Sequence, residues 1–185
     1  MSLTKEQQQC LLDLAKSSIR HGLQTGKSLK INLADYPAEL AERRATFVTL
    51  HKHHQLRGCI GMLEAVRPLA EDIAENAFLA AFRDPRFPPL ADDEFGDLDI
   101  HLSILTPAEP VAFASEQDLI AQLQPGVDGL ILEEGRRRGT FLPSVWEQLP
   151  EPEQFLRHLK QKAGLAPDYW SENIKIYRYR TEMIG

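Results

Sequence analysis

Apolar residues recur at helical spacing from the start of the chain. Leu11, Leu14, Ala15 and Ile19, with Ser18 among them, fall on one stripe. Thr4 and Gln7 have the spacing of a capping box ahead of it, and Gly22 and Gly26 are read as its end. A polar stretch through Asp35-Tyr36-Pro37 leads to a short helical piece at 38–43. The period then changes. Residues 45–62 read as a β-hairpin, with a first strand over 45–50, a connection around Lys52-His53-His54 and a return strand over 55–62. Strict alternation puts Leu56, Gly58, Ile60 and Met62 on one face of the return strand, and Arg57, Cys59 and Gly61 on the other. Two glycines in one strand mark a bulge or a close backbone approach.

Pro68 suits the first turn of a second helix that runs to about Phe82, with Leu69, Ile73, Ala77 and Ala80 as its core stripe. Asp84-Pro85 stops it, and Arg86-Phe87-Pro88-Pro89-Leu90 is a loop. The clearest strand follows, with Leu98, Ile100, Leu102 and Ile104 inward and Asp97, Asp99, His101 and Ser103 outward. Ser115 and Asp118 resemble the cap and first turn of a helix through Leu123, closed by Pro125-Gly126. Residues 129–133 and 139–142 read as strands joined by 134–138, and Pro143 opens a short helix. Phe155, Leu156, Leu159 and Ala163 form the stripe of a further helix ended by Gly164, and residues 174–183 alternate as one closing strand. Regular βαβ alternation is missing, so a doubly wound parallel sheet is excluded in favour of an α+β fold, a mostly antiparallel sheet flanked by helices.

Composition narrows the picture. A chain of 185 residues fits one domain, or one domain with a smaller lobe, and its 43% hydrophobic and 26% charged residues are those of a globular protein. The longest apolar run is residues 77–82, far below the ~20 needed to cross a bilayer. The N-terminus lacks the apolar core of a signal peptide, so a cytoplasmic location is expected, with no membrane partner. A net charge of −6 argues against coating nucleic acid by bulk electrostatics, although a local basic patch is compatible with it. The two cysteines, Cys10 and Cys59, form no Cys-x-x-Cys pair, which disfavours a zinc ribbon or a thioredoxin-like site.

The hexapeptide Leu56-Arg57-Gly58-Cys59-Ile60-Gly61 resembles the hallmark of the AMMECR family. Further segments resemble it in order: Thr46-Phe47-Val48-Thr49-Leu50, Asp84-Pro85-Arg86-Phe87-Pro88-Pro89-Leu90, Ser103-Ile104-Leu105-Thr106-Pro107, Asp128-Gly129-Leu130-Ile131-Leu132, Thr140-Phe141-Leu142-Pro143-Ser144-Val145-Trp146 and Lys162-Ala163-Gly164-Leu165. The resemblance spans roughly residues 10–180. It implies a single AMMECR-like domain over 1–185, with a larger and a smaller lobe around a cleft near the hexapeptide. It also implies association with a Memo-type protein and a radical SAM protein in what is called the AmmeMemoRadiSam system, and a suggested link to RNA modification. It supplies no secure reaction. The histidine-rich turn departs from the pattern, so its histidines inherit no role.

Cys59 is the candidate nucleophile and Arg57 the candidate positioning group, because a neighbouring guanidinium favours a thiolate and its fork suits a carboxylate or phosphate. His101, on another strand, is a candidate base. The competing readings are that Cys59 is a small packed residue and that Arg57 forms an internal ion pair with Asp84 or Glu94. Gly58, Gly61, Arg86 and Thr140 are candidate substrate-binding positions. Against this, the glycines serve tight packing, Asp84 and Arg86 pair across the loop, and Thr140 is an ordinary strand residue. His51, His53 and His54 sit at an exposed turn without a cysteine or acidic ligand, so neither a metal nor any other cofactor is expected. Arg136-Arg137-Arg138 reads as a solvated hairpin tip, and is the best basic patch if RNA is a partner. Three functions follow: a small enzyme or enzyme component using the hexapeptide, a non-catalytic protein-binding module, and an RNA-binding module.

Overall fold

The computed structural model describes residues 2–185. The chain divides into two compact units: one runs to Leu105 and takes in Glu182–Gly185, and the other is Thr106–Thr181.

In the first unit, helix α1 (Lys5–Thr25) begins with the expected reciprocal cap between Thr4 and Gln7. It runs through Gly22 and ends at Gly26, which takes the left-handed conformation at φ 72°. Gly22 is therefore a contact residue and not a terminator. A Cβ there would lie 2.3 Å from Phe82 Cε2, on the facing helix α2 (Leu69–Phe82). Strands β1 (Thr46–Lys52) and β2 (Gln55–Gly61) form the expected hairpin, two residues longer at the turn end of the first strand. His53 and His54 make the turn, both at positive φ (51° and 65°), the backbone twist that two-residue hairpin loops require. Strand β3 (Leu98–Leu105) pairs antiparallel with β1 on its other side.

The second unit contains β4 (Glu109–Pro110), α3 (Glu116–Gln122), β5 (Gly129–Glu134), β6 (Arg137–Phe141), α4 (Pro152–Lys162) and β7 (Lys175–Tyr179). Its sheet has the order β4-β7-β5-β6, with each neighbouring pair antiparallel. Leu119, Leu130, Leu132, Trp146, Phe155 and Ile176 are among its core residues, and the Trp146 and Phe155 rings stack 3.7 Å apart. The expected single closing strand is instead two. After β7 the chain turns at Arg180 and continues as β8 (Thr181–Ile184), which joins β3 in the sheet of order β2-β1-β3-β8. Alternation alone cannot show that break, because both pieces keep the period of a strand.

The even-numbered residues of β1 and β3 (Val48, Leu50, Ile100, Leu102 and Ile104) pack with Leu11, Leu14, Ile19, Ile73 and Ala77 of the two helices. This leaves the odd-numbered residues on the opposite face of the sheet. Among the described residues, no helix is long and apolar enough to cross a membrane.

Gly58 is set by this packing. A Cβ on it would sit 2.1 Å from the backbone oxygen of Ala80, so α2 and β2 touch main chain to main chain. Gly58→Ala must push a helix away from a strand and is expected to cost about 1–3 kcal/mol. Denaturant unfolding of the variant measures this, and an unchanged midpoint would show that the contact yields freely.

Candidate functional site

Strand β2 lies at the edge of its sheet, and its register contains one irregularity. Lys52 pairs with Gln55 and His51 with Leu56, but Leu50 pairs with Gly58, so Arg57 is an extra residue on β2. Counting back from the turn in unbroken register, with Arg57 opposite Leu50, would set Cys59 opposite Val48, on the core face. The bulge sets it opposite Thr49, on the other face. The expected alternation is corrected accordingly. Leu56 pairs with His51 and so shares the Thr49 and Cys59 face, whereas Gly58 and Ile60 face the helices.

On that face Cys59 Sγ lies 3.2 Å from Thr49 Oγ1, within hydrogen-bond reach with either atom as donor. Thr49 is in turn directly paired with His101 of β3, so thiol, hydroxyl and imidazole occupy one row across three strands. All three residues are half-buried. The His101 ring meets His51 edge-to-face at 5.2 Å. Burial lowers the His51 pKa from its ordinary value, and the neighbouring His101 adds to the effect.

The open edge of β2 is covered by side chains. The Cys59 N–H donates to Asp84 Oδ2 at 3.0 Å, and Arg86 Nη2 donates to the Cys59 carbonyl at 3.4 Å. Asp84 also accepts from the Arg86 backbone N–H and from Arg86 Nε and Nη2, at 3.1, 3.0 and 2.7 Å. The Arg86 guanidinium, aided by these backbone bonds, holds the buried Asp84 carboxyl well below the usual carboxylate range. The expected pairing of Asp84 with Arg86 is present, and it also replaces the missing neighbour strand at Cys59.

Arg57 turns to Glu94. Its Nε donates to Oε1 at 2.9 Å and its Nη2 to Oε2 at 3.0 Å, a bidentate pair, and Nη2 also reaches the Pro88 carbonyl at 2.9 Å. Lys52 Nζ shares Glu94 Oε1 at 3.3 Å. The internal ion pair foreseen with Glu94 is thus formed, and the guanidinium hydrogen-bonded at Cys59 is that of Arg86. Arg57 Nη1 is buried with no hydrogen-bond partner among the described residues. The ring of Phe87 lies 5.9 Å from the Arg57 guanidinium carbon and 5.5 Å from that of Arg86.

The other candidates have local roles. Gly61 lies beneath Phe47, whose Cγ a Cβ would approach to 2.4 Å. Thr140, in the second unit, donates to the Leu130 carbonyl at 2.8 Å and lies 3.2 Å from the Tyr179 hydroxyl. Burial pushes the Tyr179 phenol up to about 12, against the Thr140 hydrogen bond that lowers it. His53 is exposed and 3.7 Å from Asp97, and no group of three or more His, Cys, Asp or Glu among the described residues is placed to hold a metal. At the arginine tip, Arg137 donates to the Gly164 carbonyl and Arg138 pairs with Glu133 at 3.2 Å, so two of its three guanidiniums are tied within the second unit. Thr49 is the residue that sequence reasoning missed. Its signal lay in the hairpin register, which a bulge made unreadable by counting.

The fold is a mixed α+β protein with antiparallel sheets, and comparison with known proteins agrees. The sequence model of the AMMECR1 family matches residues 12–184, and the chain belongs to that family. A protein of Methanothermobacter thermautotrophicus is 39% identical over 183 residues, covering 98% of this chain and 95% of its own. Protein MJ0810 of Methanocaldococcus jannaschii is 41% identical over 158 residues, covering 83% and 79%. The crystal structure of an uncharacterized protein, PH0010 of Pyrococcus horikoshii, superposes with a TM-score of 0.89 at 36% identity, covering 98% of this chain and 92% of that one. None of these names carries an activity.

Arg57, with help from the Ala91 backbone N–H and Lys52, lowers the Glu94 pKa to about 2 against the cost of burial. A carboxyl with a depressed folded pKa contributes stability that is present above its unfolded value, roughly 4.3, and lost as pH falls toward the folded value. Carbon-detected NMR titration is therefore expected to place the Glu94 midpoint near 2, with acid unfolding setting in below pH ~4. A midpoint at the ordinary glutamate value would contradict the pairing.

Proposed function

We propose that the chain is a small enzyme, or an enzyme component, working in the cytoplasm, whose reacting group is the Cys59 thiol. The observation that carries this reading is the cross-strand row in which Cys59 Sγ contacts Thr49 Oγ1 at 3.2 Å and His101 stands directly opposite Thr49. A thiol acts as a nucleophile once its proton has somewhere to go. A hydroxyl that can both accept and donate, with an imidazole beyond it, offers that route on one sheet face. Arg86 and Asp84 hold the Cys59 main chain on both its N–H and its carbonyl, which fixes the direction of the side chain. Arg57 stands in this reading as a positioning group. An RNA-linked or other anionic substrate, and action together with Memo-type and radical SAM proteins, are parts of the same proposal.

A second reading, a non-catalytic protein-binding module, is favoured by the exposure of Leu56, Met62 and Val66 around the strand, at 40%, 40% and 43%. It requires binding to a Memo-type or radical SAM partner that survives Cys59→Ser and fails when these apolar residues are made polar.

Thiol alkylation separates the two. Burial, followed by the nearby Asp13, raises the pKa of the Cys10 thiol, which makes Cys10 an internal reference. In the folded protein near neutral pH, Cys59 is expected to react with iodoacetamide faster than Cys10. Thr49→Val and His101→Ala are each expected to slow it by roughly tenfold or more. Mass spectrometry of the two cysteine peptides reads the rates. A Cys59 as inert as Cys10, or indifferent to both substitutions, would remove the enzymatic reading.

A further inference from the structure

The geometry points to a binding subsite for a small oxyanion, a phosphate monoester or a carboxylate, formed by Arg57, Arg86 and Phe87 on the same strand edge as Cys59. The inference rests on the thiol reading in one respect, that it names the class of molecule this edge would present to the sulfur.

Three observations lead to it. A guanidinium carries five N–H donors, two of them on Nη1. Arg57 is 8% exposed and uses Nε and Nη2 on Glu94 and on the Pro88 carbonyl, which leaves both Nη1 donors sealed from solvent without an acceptor. Leaving a charged donor unmet in the interior is costly, so such a group marks a place where an acceptor belongs. Second, Arg86 repeats the arrangement at the surface. It grips Asp84 through Nε and Nη2, so its Nη1 edge is turned from the ion pair, on a side chain that is 54% exposed. Third, both guanidiniums lie against the one Phe87 ring, at 5.9 and 5.5 Å. The ring thus joins the buried donor to the reachable one.

Charge agrees with this. Lys52, Arg57 and Arg86 stand against two carboxylates, Asp84 and Glu94, so the cluster is cationic within a chain of net charge −6. Each arginine is already oriented by its own carboxylate, so an arriving anion need not order it. A neutral or cationic ligand would gain nothing from one buried and one exposed Nη1 edge, both donors only. An oxyanion meets them with charge-assisted hydrogen bonds.

The test uses the wild-type protein labelled with nitrogen-15 at arginine, so that side-chain resonances report directly. Inorganic phosphate and acetate are titrated separately at constant ionic strength, with chloride as the reference. Saturable shifts of both Arg57 and Arg86 are expected. Preference for phosphate assigns the ligand to phosphate esters, and preference for acetate assigns it to carboxylates. Arg86→Lys keeps a cation for Asp84 but removes the Nη1 fork, and is expected to weaken binding about tenfold. Shifts no larger than those given by chloride, or an affinity unchanged in Arg86→Lys, would overturn the subsite and leave water as the partner of Arg57 Nη1. Cys59 alkylation is measured on the same sample without added anion. Loss of anion binding with thiol reactivity intact defeats the subsite alone, and the converse defeats the thiol reading alone.

Discussion

A single bulge decides which way Cys59 faces. Side chains in a strand alternate with a period of two, so a register change of one moves all residues beyond it to the other face. Arg57 is the residue left outside the ladder there. Were Arg57 paired in regular register opposite Leu50, the thiol would lie opposite Val48 against the helices, where a cysteine is only a small apolar filler. With the bulge, Cys59 reaches Thr49 and stands in line with His101. The bulged residue is itself fixed by a bidentate bond to Glu94, so the ion pair and the register support one another.

The surroundings of β2 follow from the same constraint. An edge strand with a bulge is easily displaced, and here it is held from three directions. Gly58 lets the main chain of α2 press on it, Gly61 admits the Phe47 ring above it, and the Asp84–Arg86 pair satisfies its outward N–H and carbonyl at Cys59. The loop that supplies Asp84 and Arg86 follows directly on the end of α2 at Phe82 and its cap Arg83, so helix exit and strand edge are coupled through the three consecutive residues 84–86. Glycine, proline and ion pair thereby act on one stretch of backbone and give it a fixed shape.

Much of this was legible in the sequence. The capping box at Thr4 and Gln7, the stripe of α1, the hairpin around His53-His54 and the alternating face of β3 all follow from periodicity and turn chemistry. The family was legible too, because its segments recur in order along most of the chain. What periodicity could not supply was any feature that costs no visible residue type. The two glycines of the return strand pointed to a bulge or a close approach without placing a bulge at Arg57, the division of the tail into β7 and β8 keeps one alternation across both, and Gly22 carries the residue type of a helix end while serving as a contact. Thr49 looked like one of several β-branched residues until the pairing placed it beside the sulfur. The candidate site was half legible for this reason: its residue types stood in the motif, and their neighbours depended on the register.

The divided tail has a bearing on synthesis at the ribosome. The sheet of the second unit needs β7, and the sheet of the first unit, whose helices and hairpin emerge earliest, needs β8 beside β3. Glu182 also accepts from the Leu3 backbone N–H and the Gln8 side chain, so the entry to the first helix waits for the same residues. The part of the chain made first is thus among the last to be completed. During translation it carries an unpaired β3 margin, the kind of surface that molecular chaperones shield.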